Sequence, residues 1–162
     1  MPLIRDGEYV EDAWLRIGGE APMPFDGDII IDFDRLKEEG TGKSLPKRRG
    51  QMGVAVSNTA DVRELTPWLD HLTLIALEFP SFNDGRAFSQ ARSLRHVMGY
   101  RGEIRATGKP MADQAGFLIQ CGFTSFESSG RQPLDVWRRA AGAMSRVYQS
   151  AVTRGVGVVS KL

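Results

Sequence analysis

The sequence predicts an α/β protein: a mainly parallel sheet of about five strands joined by βαβ crossovers, with a β-hairpin at the N-terminus. Three observations predict it. Short apolar runs rich in Ile, Leu and Val alternate with amphipathic stretches, and the connections between them are short. Several runs are continuously apolar, as strands covered on both faces should be. Leu3–Val10 places Asp6-Gly7 between two alternating segments, the strongest short-range hairpin signal. An open doubly wound sheet and a partial barrel both satisfy this pattern. At 162 residues the chain is expected to form one α/β domain over residues 1–162.

The elements follow in order. Residues 18–28 carry Gly, Pro and Asp without a period and read as loop. Asp28-Ile-Ile-Ile-Asp is a buried strand, and Phe33–Glu39 is one or two helical turns. Residues 40–51 form a polar, basic loop. Its Gly-Lys-Ser resembles part of a phosphate-binding loop, but Lys37 stands where the first motif glycine belongs and Pro46 opposes the required helix. Met52–Val56 is a strand, after which Asn58 or Thr59 caps a helix that restarts at Pro67. Leu72–Phe79 is the next strand. Asn83 or Asp84 caps a helix to about Met98, with Phe88, Ala91, Leu94 and Met98 on one face.

Glu103–Thr107 is a further strand, and a helix from Lys109-Pro110 runs through Gln120. Gly122 is placed to stop that helix, with Phe123 folding back on Leu118. Thr124–Glu127 is a short strand. Pro133–Ala151 is an amphipathic helix burying Leu134, Trp137, Ala141, Met144 and Tyr148, and the tail from Thr153 has no helical period.

Composition narrows the function. Hydrophobic residues at 41% and charged residues at 25% are those of an ordinary globular chain. No apolar run approaches the roughly 20 residues that span a bilayer, and the first residues lack a secretory apolar core, so a cytoplasmic location is expected. Cys121 is the only cysteine, which excludes an internal disulfide and a CxxC pair, and it reads as a buried inert thiol. His71 and His96 have no ligand spacing, and no cofactor is evident. A net charge of +1 gives no global pull toward nucleic acid or membrane. The charge is uneven, however: residues 1–39 are acid-rich, and arginines recur from Arg86 to Arg105. That points to a local anionic ligand or an acidic protein partner.

The candidate site lies where strands end and helices begin, the working edge of parallel α/β folds. Asp84 either caps the following helix or presents a carboxylate at the ligand edge. Gly85 and Arg86 open that helix, where free N–H groups favour an anion; Arg86 either adds a forked clamp on an oxyanion or is an exposed arginine pairing with Asp84. Ser89 and Gln90 stand one turn further on. Glu103, Arg105 and Thr107 share one face of their strand, where charges need partners. A structural Glu103–Arg105 network is the alternative to a site. In the catalytic reading Asp84 or Glu103 accepts a proton, while Arg86 and Arg105 hold the oxyanion and Gln114 reaches the strand edge. Arg92, Arg95 and His96 face solvent or a partner.

The run Phe79-Pro-x-Phe-x-Asp-Gly-Arg-x-x-Ser-Gln-Ala-Arg, followed by Gly99-Tyr100-x-Gly-Glu-x-Arg-Ala-x-Gly, Asp113-Gln114 and Cys121-Gly-Phe, is dense over residues 79–123. It resembles a bacterial family of unknown function whose genes often accompany assimilatory sulfite reductase, with members labelled as oxidoreductases of sulfite reduction. Lys109, Ala112 and Gln120 depart from the family's pattern. The resemblance implies an accessory or oxidoreductase-associated protein of sulfur assimilation, with sulfite reductase or its electron donor as partner. The residues leave two further readings: an enzyme holding a small oxyanion or phosphorylated ligand at the C-terminal edge of the sheet, and a non-catalytic structural subunit.

Overall fold

The computed structural model describes residues 2–40, 48–81, 83–128 and 133–143. Eight strands form one curled, mixed sheet, a half-barrel. They are β1 (Leu3–Arg5), β2 (Glu8–Val10), β3 (Leu15–Ile17), β4 (Ile29–Asp32), β5 (Met52–Val56), β6 (Leu74–Phe79), β7 (Glu103–Gly108) and β8 (Ser125–Glu127). Their order is β2-β1-β8-β7-β6-β5-β4-β3. From β3 to β8 the strands are parallel and adjacent in sequence order, while β1 joins β8 and β2 antiparallel. The order never reverses, so the sheet has no topological switch point and the doubly wound alternative falls. The partial-barrel alternative holds, with more strands than expected.

The hairpin turn forms where Asp6-Gly7 predicts it. Asp6 (φ 52°) and Gly7 (φ 74°) both take left-handed backbone, the requirement of the two-residue turn that matches strand twist. β3 falls just before the stretch read as loop; at three residues, with Leu15 and Arg16 exposed, it carries too little pattern to announce itself. Its neighbour β4 is the buried Ile29-Ile30-Ile31 run.

Helices α1 (Phe33–Glu39), α2 (Arg86–Arg92), α3 (Ala115–Cys121) and α4 (Leu134–Ala143) cover one face of the sheet. Between β5 and β6, Val62–His71 is a 3₁₀ helix capped by Asp61, whose side chain accepts from the Arg63 N–H at 3.0 Å, and not by Asn58 or Thr59. Pro67 lies inside it, without an N–H to extend an α ladder. Helix α2 passes into a π turn at Ser93–Val97, closed by Met98 N–H donating to Ser93 O at 3.0 Å. α3 ends as the sequence predicts. Gly122 takes φ 106°, and the Phe123 N–H donates to Leu118 O at 3.1 Å, the Schellman stop. Residues beyond Ala143, including Met144, Tyr148 and the tail, lie outside the described residues, as does the Gly-Lys-Ser of the basic loop.

The two faces of the sheet have different interiors. Ile29, Ile31, Val54, Val56, Ile75, Leu77, Ile104 and Ala106 point to the helices and join Leu65, Trp68, Ala91, Leu94, Leu118 and Phe123 in the main core. The opposite, concave face holds a small apolar cluster of Ile30, Leu74 and Ala76, packed against Trp14 and Ala55. The link from β2 to β3 crosses this face, because those strands are the two edges of the sheet. Trp14 in that link fills part of the concavity, and beside it lie the charges of β7.

Candidate functional site

The nominated residues fall into two separate places. The first is the β6–α2 junction. Arg86 lays its fork on Asp84, with Nε donating to Oδ1 at 2.9 Å and Nη2 to Oδ2 at 2.6 Å. The Arg86 backbone N–H also points at Asp84 Oδ1, at 3.3 Å. The guanidinium hydrogen bonds draw the Asp84 carboxyl from its ordinary value down to about 2. The Asn58 amide adds a smaller pull in the same direction, although its Nδ2 is buried and closes no hydrogen bond. Asp84 therefore sits where an anion would bind at this helix start, and Gly85 takes the formal cap position with no side chain to offer.

Ser89 is exposed one turn along. Gln90 turns the other way and is buried, with Nε2 donating to Ser57 O and Ala60 O at 2.8 Å each, so it ties α2 to the loop after β5. That is a structural task, and only its Oε1 remains without a partner.

The second place is the concave face of β7. Register puts Glu103 beside Leu74, Arg105 between Ala76 and Ser125, and Thr107 beside Glu78. Small neighbours at Ala55 and Ala76 leave room for the Arg105 side chain, which is fully buried. Arg105 Nε donates to Glu103 Oε1 at 2.9 Å, and Nη1 donates to both Asp12 oxygens at 3.0 and 2.9 Å. Glu103 also accepts from Arg5 Nη2 and, at 2.6 Å, from the Ser125 hydroxyl. A carboxylate with three donors on it has little capacity left for a substrate proton. Arg105 Nη2 is buried with no hydrogen-bond partner. Thr107 points the same way further along the strand, its hydroxyl on Leu77 O at 3.3 Å.

A cleft of about 270 Å³ opens on this face, where β4 to β7 begin, and Glu103 and Arg105 line it. None of Asp84, Gly85, Arg86, Ser89, Gln90, Thr107 or Gln114 does. Gln114 closes a single 3₁₀ turn, Ala112–Gln114, ahead of α3. Among the described residues the two groups of charges are thus not joined by any ion pair.

Arg95 differs from the expectation that it faces solvent or a partner. It is half-buried and donates to Gly122 O, Tyr100 O and Gly102 O at 2.7–2.9 Å, which clamps the end of α3 to the turn before β7. Nearby, burial pushes the Tyr100 phenol and the Cys121 thiol above their ordinary values; the thiol is buried as its sequence context predicts. Arg48 of the basic loop is likewise spent on Gln51 O and Gly27 O.

The residues missed by sequence reasoning are the partners from the N-terminal segment: Arg5, Asp12 and Trp14, with Arg16 paired to the buried Glu127 at 2.8 Å. The uneven charge was the available signal. Part of that asymmetry closes inside the chain, as Asp12 of the acid-rich N-terminal region meets Arg105 of the arginine-rich one. Among the described residues no cluster of three His, Cys, Asp or Glu side chains can hold a metal ion, and no helix is long and apolar enough to cross a membrane.

Comparison with curated proteins and with solved structures gives no match to this chain. Comparison with family models gives one over residues 53–158, a span that takes in β5 to α4 and both groups of charges except the N-terminal partners. By that match the chain belongs to a family described as a bacterial protein of unknown function, DUF934.

Proposed function

We propose that the protein is an accessory component of assimilatory sulfite reduction in the cytoplasm, which docks on sulfite reductase or its electron donor through the exposed side of α2 and its π turn. The observation that carries the docking reading is the fate of the charges. Carboxylates suited to proton transfer, Asp84 and Glu103, are already engaged by arginines. Arg92 and His96, by contrast, are exposed four residues apart with no ion pair among the described residues, and Val97 beside them is 77% exposed. An exposed aliphatic side chain on the same turn as an unpaired arginine suits an acidic protein surface: the apolar contact supplies affinity and the charge supplies orientation and rate. The assignment of that partner to sulfite reduction rests on the motif resemblance over residues 79–123.

The test is direct binding of the purified chain to sulfite reductase and, separately, to its electron donor. A complex that weakens as salt rises, and weakens about tenfold or more in Arg92→Glu/His96→Glu, is the expected result. No complex with either protein at micromolar concentration and low salt overturns the proposal.

A further inference from the structure

The cleft on the concave face lies apart from the α2 surface and plays no part in the docking reading. Its lining joins Arg105 and Arg5 to four carboxylates, Glu11, Asp12, Asp28 and Glu103. Two features of it restrict what can bind. Arg105 is fully buried, and neither N–H of its Nη2 meets an acceptor, although Nε and Nη1 are both engaged. A buried guanidinium N–H carries a desolvation cost until an acceptor oxygen meets it. The lining as a whole, however, has two carboxylates in excess of its arginines. A lone anion brought to Arg105 would face that excess, and a lone cation drawn by the excess would leave Nη2 unmet.

A ligand that satisfies both carries an acceptor oxygen and a positive centre. We propose that this cleft binds a small zwitterion of the size of a free amino acid, its carboxylate accepting from Arg105 Nη2 and its ammonium facing the Glu11 and Asp28 carboxylates. Those two are the ones left over once Asp12 and Glu103 are paired with Arg105. Asp28 accepts from the Gln51 N–H through one oxygen only, at 2.7 Å, and Glu11 makes no ion pair among the described residues. At about 270 Å³ the cleft holds several water volumes, and it is smaller than the pockets that take drug-sized ligands.

Trp14 lines the cleft, so its indole N–H resonance reports occupancy in the intact chain. L-alanine should shift that resonance saturably, and should raise the melting temperature in step. Acetate, ethylammonium and glycerol at matched ionic strength should do neither. Glu11→Gln changes an exposed side chain outside the buried network and should weaken L-alanine at least tenfold while the chain stays folded; Arg105→Lys, if folded, should abolish the response. Absence of a saturable shift with L-alanine up to about 50 mM, a concentration that would reveal even millimolar affinity, overturns the proposal. An equal response to acetate or glycerol also overturns it, since the site then reads one charge, or only displaces water.

Discussion

Asp84–Arg86 and Glu103–Arg105 are the same motif in sequence, a carboxylate two residues before an arginine, yet they do opposite work. Arg86 is 57% exposed at the start of a helix, where solvent screens its pair with Asp84; Arg105 is fully buried inside the curled sheet. At the surface such a pair adds little stability, and its visible effect is to settle one carboxylate's ionisation. Inside, each partner holds the other's desolvation cost in check, and removing one exposes it. Identical chemistry thus becomes local electrostatics in one place and architecture in the other, and the depth of the site decides which.

The largest expected effect tests the interior. Arg105→Ala leaves Asp12 and Glu103 facing each other without their common partner and should lower unfolding free energy by about 3–5 kcal/mol in urea titration. A loss no greater than that of Arg86→Ala would erase the contrast. Arg95 sharpens it, because that arginine lies among the helices and not in the concavity. Its three carbonyl partners predict a loss of about 1.5–3 kcal/mol for Arg95→Ala by the same measurement, making burial and partners, not position, the deciding variable. Gly122→Ala strikes the same clamp from the other side. It forces a side chain into φ 106° backbone with its Cβ against Arg95 Cγ, so a loss of about 1–2 kcal/mol is expected, measured as a fall in the urea midpoint.

The smallest effect belongs to the surface pair. Asp84→Asn should lower the urea midpoint at pH 7 by the least of these variants, because solvent screens the pair. Its signature is in titration: the Asp84 carboxyl signal, followed by NMR, should move with a midpoint of about 2, below the ordinary value of 3.8. A carboxyl whose folded value is depressed contributes its stabilisation above the unfolded value and loses it as pH falls through the folded one. Acid unfolding that begins near neutral pH would therefore have another origin. A midpoint at the ordinary value would mean that Arg86 does not hold Asp84 in solution.

The sequence carried the rhythm of this fold well. The Ile29–Ile31 run, the Asp6-Gly7 turn and the Gly122 stop each have a local cause, and each appears where that cause places it. What it could not carry was the closure of the sheet. β3 is three residues long and mostly exposed, so its pairing is set by the neighbouring β4 and not by its own pattern. The same limit hid the site. Glu103 and Arg105 announce that something unusual occupies their strand, because charges break the apolar rule of a parallel sheet. Their partners Arg5, Asp12 and Ser125 come from distant segments, and only the curl of the sheet brings them together. At the junction, Asp84 and Arg86 are local neighbours, so the exposed pairing of Arg86 with Asp84 was legible as the alternative to a ligand clamp, and it is the one that forms.

The pairing of Ile4 with Phe126 joins the front of the chain to a strand from its last third. A hairpin made early by the ribosome has no sheet to dock on until β8 has been synthesised. The β1–β2 hairpin is then a late arrival in folding although it is synthesised before its partner strand, and its contacts have the long sequence separation that slows folding. It also covers the β8 edge, so a chain shortened before β3 would be expected to present an open strand to other copies. Seen this way, the first ten residues act as a latch on assembly: they close the sheet only once nearly everything else is in place.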